Sequence, residues 1–207
     1  MRICFIGDSF VNGVGDDEAL GWRGRVTAAA RKAGRDITAY DLGIRRNTST
    51  DILARWEAEA TARLADGFEH RLLFAFGTND CADDGRGRRR VPLARTLRNA
   101  EAILGRAKAL APTLIIGPAP MLDDGAADER IAELEGKLSI LCNRLEVPFL
   151  PLFERLRHVD AWTRGALHGD GTHPDAGGYA LLAGHILDWP AFRDWIGLGA
   201  PKKGRKR

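Results

Sequence analysis

The sequence predicts an α/β fold, with a parallel β-sheet covered by helices on both faces. Three observations predict it. Short, nearly all-apolar runs recur along the chain, as strands buried on both faces should. Amphipathic stretches with apolar residues at steps of three and four lie between them. The resulting βαβα order requires right-handed crossovers, which lay helices on both sides of a parallel sheet.

The expected strands are Arg2–Ile6, Ile37–Leu42, Leu72–Phe76, Thr113–Ile116 and Val147–Leu150. The second helix has a start signal in Ser49-Thr50-Asp51, with Ser49 as its cap, ahead of Ile52, Leu53, Trp56 and Leu64. Pro92 suits the first turn of the third helix, because its missing N–H has no partner there to lose. In the fourth, Ile131, Leu134, Leu138, Leu141 and Leu145 line one helical face. A last helix follows Pro174, from about Asp175 to Leu187. No internal repeat is evident.

At 207 residues and 44% hydrophobic, the chain can build one sizeable core, and no shift in composition divides it. A single domain over residues 1–199 is expected. The net charge of +3 comes from the end of the chain: Lys202, Lys203, Arg205, Lys206 and Arg207 leave 26 basic residues against 28 acidic elsewhere. A basic tail on a near-neutral body does not resemble a nucleic-acid-binding surface, which spreads Lys and Arg over a face or groove. Residues 200–207 therefore read as a disordered, solvated end, with weak contact to RNA or anionic lipid as the alternative.

No segment approaches the roughly 20 apolar residues of a membrane span. A first strand starting at Arg2 leaves no room for a signal peptide, so the expected location is cytoplasmic. Cys4, Cys81 and Cys142 are odd in number and lack CxxC spacing, which reads as reduced thiols rather than a disulfide framework or zinc site.

In a parallel sheet all the βα loops emerge at one edge, and ligands bind outside the strand C-termini where the winding reverses. Polar groups of chemical interest collect at those loops. The first strand runs into Gly7-Asp8-Ser9, the second into Gly43, and the third into Gly77-Thr78-Asn79-Asp80, while HGDGTHPD follows the fifth. A serine hydroxyl becomes a nucleophile when a base takes its proton, and imidazole suits that task. The base in turn needs a carboxylate to fix its tautomer. Ser9, His173 and Asp170 supply the three roles. Of the chain's three serines, Ser49 reads as a cap and Ser139 lies inside a helical pattern, so Ser9 alone ends a strand. The Ser9 and Gly43 amides and the Asn79 side chain are the candidate oxyanion donors. The second glycine of a G-x-S-x-G elbow is missing, which disfavours the α/β-hydrolase fold.

Several competing assignments fail on chemistry. His168 lies near the same loop, but the spacing of Asp170 favours His173 as the base. His168, Asp170, His173 and Asp175 lack a helical H-E-x-x-H, so no metal is assigned. Gly13-Val14-Gly15 begins like a dinucleotide fingerprint, yet a phosphate there would meet Asp16, Asp17 and Glu18. Cys81 is read as a small loop filler. Asp8 and Asp80 are read as holding backbone amides in their turns.

With these residues in place, the sequence resembles the SGNH (GDSL-type) hydrolases. The matching blocks are Gly7-Asp8-Ser9-Phe10, with Phe10 where leucine is usual, then Gly43, Gly77-Thr78-Asn79-Asp80 and Asp170-Gly171-Thr172-His173-Pro174. All four occur in the family's order over nearly the whole chain. The resemblance implies a three-layer αβα sandwich with a flavodoxin-like five-stranded parallel sheet of order 2-1-3-4-5. It also implies a Ser9–His173–Asp170 triad and an oxyanion hole from Ser9, Gly43 and Asn79. The implied reaction is ester or thioester hydrolysis of a small or lipid-like acyl substrate without a cofactor. The family often carries another glycine where this chain has Arg46, which alters the expected shape and charge of the nearby pocket.

The arginines admit two readings. Arg86 to Arg90 form either a solvated loop or, through Arg88 together with Arg45 and Arg46, a surface that attracts an anionic substrate. Two other functions remain open on the sequence: acyl transfer through the same site, and a non-catalytic binding module retaining the fold. The acyl-chain preference and the oligomeric state are not encoded in any motif of the chain.

Overall fold

The structure is a computed structural model that describes residues 1–122 and 124–199. The basic tail expected to be disordered lies outside the described residues. In chain order the elements are β1 (Arg2–Gly7), α1 (Ser9–Asn12), α2 (Gly21–Lys32), β2 (Thr38–Gly43), α3 (Ser49–Thr61), β3 (His70–Ala75), α4 (Thr78–Cys81) and α5 (Leu93–Leu110). These are followed by β4 (Thr113–Ile116), α6 (Gly125–Leu145), β5 (Phe149–Leu150), α7 (Phe153–Leu156), α8 (Asp160–His168), α9 (Ala176–Asp188) and α10 (Pro190–Ile196).

Among the described residues, five strands form one sheet of order β2-β1-β3-β4-β5. Every neighbouring pair is parallel, and Gly7 stands between Gly43 of β2 and Ala75 of β3. Because strand side chains alternate, each strand feeds two cores. Cys4 and Ile6 of β1 join Leu72, Phe74 and Ile115 on one face, under the apolar sides of α3, α5 and α6. Ile3 and Phe5 join Leu73, Leu114 and Ile116 on the other, under α2, α9 and α10. Edge-on aromatic pairs anchor both layers, with Trp56 against Phe74 and Trp22 against Phe5, each at 5.4 Å between ring centres. The result is an αβα sandwich.

The order explains where a site can form. The chain leaves β1 for β2 on one face, then passes back over β1 to reach β3 on the other. The loops after β1 and β3 therefore diverge at the C-terminal edge, and a crevice opens between them.

The structure changes several local expectations. Thr48, not Ser49, caps α3, in a capping box with Asp51 whose side chain accepts from the Thr48 amide at 2.8 Å. Ser49 is freed for another contact, described below. The fifth strand contracts to two residues because Pro148 and Pro151 flank it and neither can donate to a ladder. The helix expected from about Asp175 to Leu187 is found as α9, and a further helix, α10, follows it. Asp175 caps α9 by accepting from the Gly178 amide at 3.1 Å, and Pro190 restarts the chain as α10. The apolar α10 packs on the body, with Phe192 and Ile196 fully buried and the Trp195 indole donating to Pro112 O at 2.9 Å.

Candidate active site

Ser9 is the first residue of α1, immediately after β1, and Asp8 turns the chain by accepting from the Phe10 amide at 3.0 Å. Gly7 has no room for a side chain, since a Cβ would stand 2.0 Å from Ala75 O. The glycine thus lets β1 run tight against β3 until the Asp8–Ser9 turn begins. His173 arrives from the other end of the chain, on the loop between α8 and α9. Its ring lies 5.0 Å from that of Phe10, which itself stacks on Trp162 at 5.9 Å. Gly15 closes on the same loop: its φ is +92°, and a Cβ there would be 2.6 Å from Pro174 O. Tyr179 of α9 ties the two segments together by donating to Val14 O at 2.7 Å.

These contacts bring three predicted side chains into a line. The Ser9 hydroxyl lies 2.7 Å from His173 Nε2, and His173 Nδ1 lies 2.7 Å from Asp170 Oδ2. Burial works against the Asp170 carboxylate, but bonds from the His173 amide, the His173 ring and the Thr172 amide outweigh it and hold its pKa down at about 2. An ionised carboxylate only accepts, so Nδ1 carries a proton, and in the neutral imidazole this tautomer leaves the Nε2 lone pair facing the serine. His168, the alternative histidine, is exposed at the last position of α8.

Asn79 is held from both ends. Its Nδ2 donates to Asp8 Oδ2 at 3.2 Å, and its Oδ1 accepts from Arg90 at 3.4 Å, which leaves the second amide hydrogen for the pocket. Burial raises the Asp8 pKa to about 7, against the lowering effect of the Phe10 and Asn79 bonds. Beneath Asn79, the buried Asp80 accepts from the Ser49 amide at 2.8 Å, the Ser49 hydroxyl and the Thr96 hydroxyl at 2.9 Å. Asp80 therefore reaches across to α3 and α5 instead of only serving its own turn.

Gly43 is not brought to the pocket. Its N–H donates to Asp41 Oδ1 at 2.9 Å, and its Cα is wedged where a Cβ would meet Asn12 N at 2.4 Å. Its glycine character reflects that close packing, so the expected oxyanion role is corrected. Arg46, three residues on, does line the pocket. It holds a left-handed φ of +68°, and its amide donates to none of the described residues.

The pocket encloses about 300 Å³ beside Ser9 and His173, with Arg45, Arg46 and Asn79 among its walls. Arg88 is absent from its lining and pairs instead with Asp84 at 2.9 Å. Arg90 takes its place, which the run of four arginines signalled without indicating which of them turns inward. The loop itself is fastened: Arg89 bonds Arg130 O at 2.9 Å and pairs with Glu133, and Arg130 bonds Gly87 O at 2.8 Å. Cys81 is buried beneath it, its thiol pushed up to about 12 by desolvation, as befits a filler rather than a nucleophile. Among the described residues no group of three or more His, Cys, Asp or Glu side chains is placed to hold a metal ion. No described helix is long and apolar enough to cross a membrane.

The family model of the GDSL-like lipase/acylhydrolases matches residues 5–181. This chain belongs to that family. Solved structures of the same fold include a lipase/acylhydrolase from Enterococcus faecalis, with 22% identity and a TM-score of 0.72 over 98% of this chain and 99% of that one. The protein named TesA has 21% identity and a TM-score of 0.75 over 94% and 99%. An acetyl xylan esterase from Geobacillus stearothermophilus has 20% identity and a TM-score of 0.73 over 98% and 97%. Comparison with curated protein sequences gives no match. As a GDSL-like lipase/acylhydrolase, the chain has the sheet order and the ester-cleaving family expected from its four blocks.

Proposed function

We propose that this protein is a serine hydrolase that cleaves carboxylic esters or thioesters through an acyl-enzyme. The observation that carries the reading is the unbroken path from Ser9 Oγ to His173 Nε2 and from His173 Nδ1 to Asp170, both steps 2.7 Å long. The Ser9 oxygen attacks the carbonyl carbon while its proton passes to Nε2. His173 then gives that proton to the departing alcohol oxygen, and the carbonyl bond re-forms as the acyl-enzyme. Water repeats the sequence, with His173 again as base, and releases the acid.

The negative charge on the former carbonyl oxygen falls to the Ser9 amide, the free hydrogen of Asn79 Nδ2 and the amide of Arg46, a residue of the pocket wall whose N–H bonds none of the described residues. Fixed donors of this kind stabilise the transition state because they need no reorganisation as charge develops. Asp170 keeps the imidazole oriented and stabilises its protonated form.

The test is a panel of p-nitrophenyl esters of increasing acyl length, assayed with the wild type and Ser9→Ala, together with a fluorophosphonate probe. Turnover and labelling that both vanish in Ser9→Ala, at an unchanged thermal midpoint, are expected. A wild-type protein that neither turns over any ester nor takes the probe would overturn the reading in favour of a binding module. Added alcohols that divert the acyl group from water would reassign the reaction as transfer.

A further inference from the structure

The pocket holds more positive charge than ester cleavage uses. Arg45, Arg46 and Arg90 line it together with two acids, Asp83 and Asp170. Both acids are committed elsewhere. Asp170 serves His173 and pairs with Arg45 at 3.0 Å, while Asp83 caps the amides of Gly85 and Gly87 and faces Arg130 at 3.8 Å. Arg90 spends its hydrogen bonds on neutral acceptors, Asn79 Oδ1 at 3.4 Å and Arg46 O at 3.2 Å. The Arg46 guanidinium makes no hydrogen bond or ion pair with any described residue.

Arg46 also occupies a backbone conformation that a residue with a Cβ adopts only at a cost, at φ +68°. Strain of this sort persists where the surroundings impose it, and it concentrates at functional sites. Here it sets a long cationic side chain on the rim of the nucleophile's pocket. The side of the pocket is also defined. His173 must reach the leaving oxygen, so the alcohol part of the ester lies towards His173 and Asp170. With the alcohol oxygen turned to His173 and the carbonyl oxygen to Asn79, the wall left for the acyl part is that of Ala82, Met121 and Arg90, with Arg46 bonded beside Arg90.

We propose that the acyl part of the substrate carries an anionic group, a carboxylate or a phosphate-type group, bound by the guanidinium groups of Arg46 and Arg90. This inference rests on the esterase reading above. A guanidinium presents two parallel N–H donors to such an anion, so the pair gives both charge and orientation. Arg45, tied to Asp170, contributes to the field without being needed for contact.

The experiment compares three p-nitrophenyl esters of similar size: the neutral butanoate, the hemisuccinate and the phosphonopropanoate. The wild type should favour a charged ester over the butanoate by about tenfold in kcat/KM, as expected for charge-assisted hydrogen bonds. The better of the two charged esters identifies the anion. The preference should shrink as salt rises from roughly 0.1 M to roughly 1 M, because the screening length falls from about 10 Å to about 3 Å. Arg46→Gly and Arg90→Gln should each lower the charged-to-neutral ratio, chiefly through KM for the charged ester. Arg46→Gly also relieves the strained φ, so a loss of selectivity in a protein that melts no lower cannot be ascribed to misfolding. A wild type that turns over the butanoate at least as well, or a ratio that both variants leave unchanged, overturns the inference while the esterase reading stands. Failure to turn over either charged ester overturns the inference, and failure on the whole ester panel without labelling by the fluorophosphonate probe overturns both.

Discussion

Arg45 donates to Asp170 Oδ2 at 3.0 Å, the same carboxylate oxygen that faces His173 Nδ1 at 2.7 Å. One carboxylate thus faces both a permanent cation and an imidazole, the group that takes up a proton in the proposed reaction.

Removing the permanent cation leaves the whole carboxylate charge to the imidazolium, which resists giving up its proton. The acid limb of the kcat/KM profile of Arg45→Gln should therefore lie at higher pH than that of the wild type. Because the Arg45 side chain is 58% exposed, the displacement should diminish in high salt. A pH–rate series at two ionic strengths reads both effects, and superimposed profiles would remove Arg45 from the electrostatics of the triad.

Asn79→Ala should lower kcat by about 10²–10³-fold with KM little altered, the loss typical of one oxyanion donor. Steady-state kinetics on a neutral ester measure it. A normal kcat would take Asn79 out of that role and leave it as a partner of Asp8 and Arg90 only.

The stability of the fold should carry a pH signature from Asp8. Burial raises its pKa in the folded protein from 3.8 to about 7, so the folded state holds the proton more tightly than the unfolded chain. Its contribution is fully present below about pH 4 and is lost as the pH climbs through 7. Asp8→Asn lacks this loss, so its stability relative to the wild type should increase between pH 4.5 and 7.5 (roughly the window the two pKa values bracket). Urea unfolding at the two pH values checks the sign.

Asp80 accepts three hydrogen bonds in the interior, and Asn99 adds a fourth link to the network by donating to Ser49 Oγ at 2.9 Å. Ser49→Ala should cost about 1–3 kcal/mol, since it leaves buried polar partners unsatisfied. Asp80→Ala orphans more donors and should cost more. Denaturant midpoints at constant slope would show it. The same variants should lower kcat, because Asp80 holds the turn that aims Asn79.

The sheet was legible from the sequence because strands buried on both faces must be apolar throughout, and the helices between them must show one apolar side. That signal located all five strands to within a few residues. Ser9, His173 and Asp170 were legible as candidates for a related reason: each follows an apolar strand or precedes a helix, where a buried run gives way to polar groups that only chemistry or turn-making explains. Capping was less legible. Thr48 and Ser49 are both good caps, and only the position of Asp80 across the crevice decides that Ser49 turns inward.

What the sequence determined by itself was the order of the strands' neighbours through its family blocks and the identity of the polar residues at one sheet edge. Tertiary structure decided which of them share a pocket. Gly43 belongs to a close packing contact with α1, Arg88 pairs away from the pocket, and Arg46 and Arg90 turn into it. The physical reason is that apolar periodicity records burial along one element, whereas the direction of a backbone amide or a guanidinium depends on partners brought from elsewhere in the chain, such as Asp41 for Gly43 and Asn79 for Arg90.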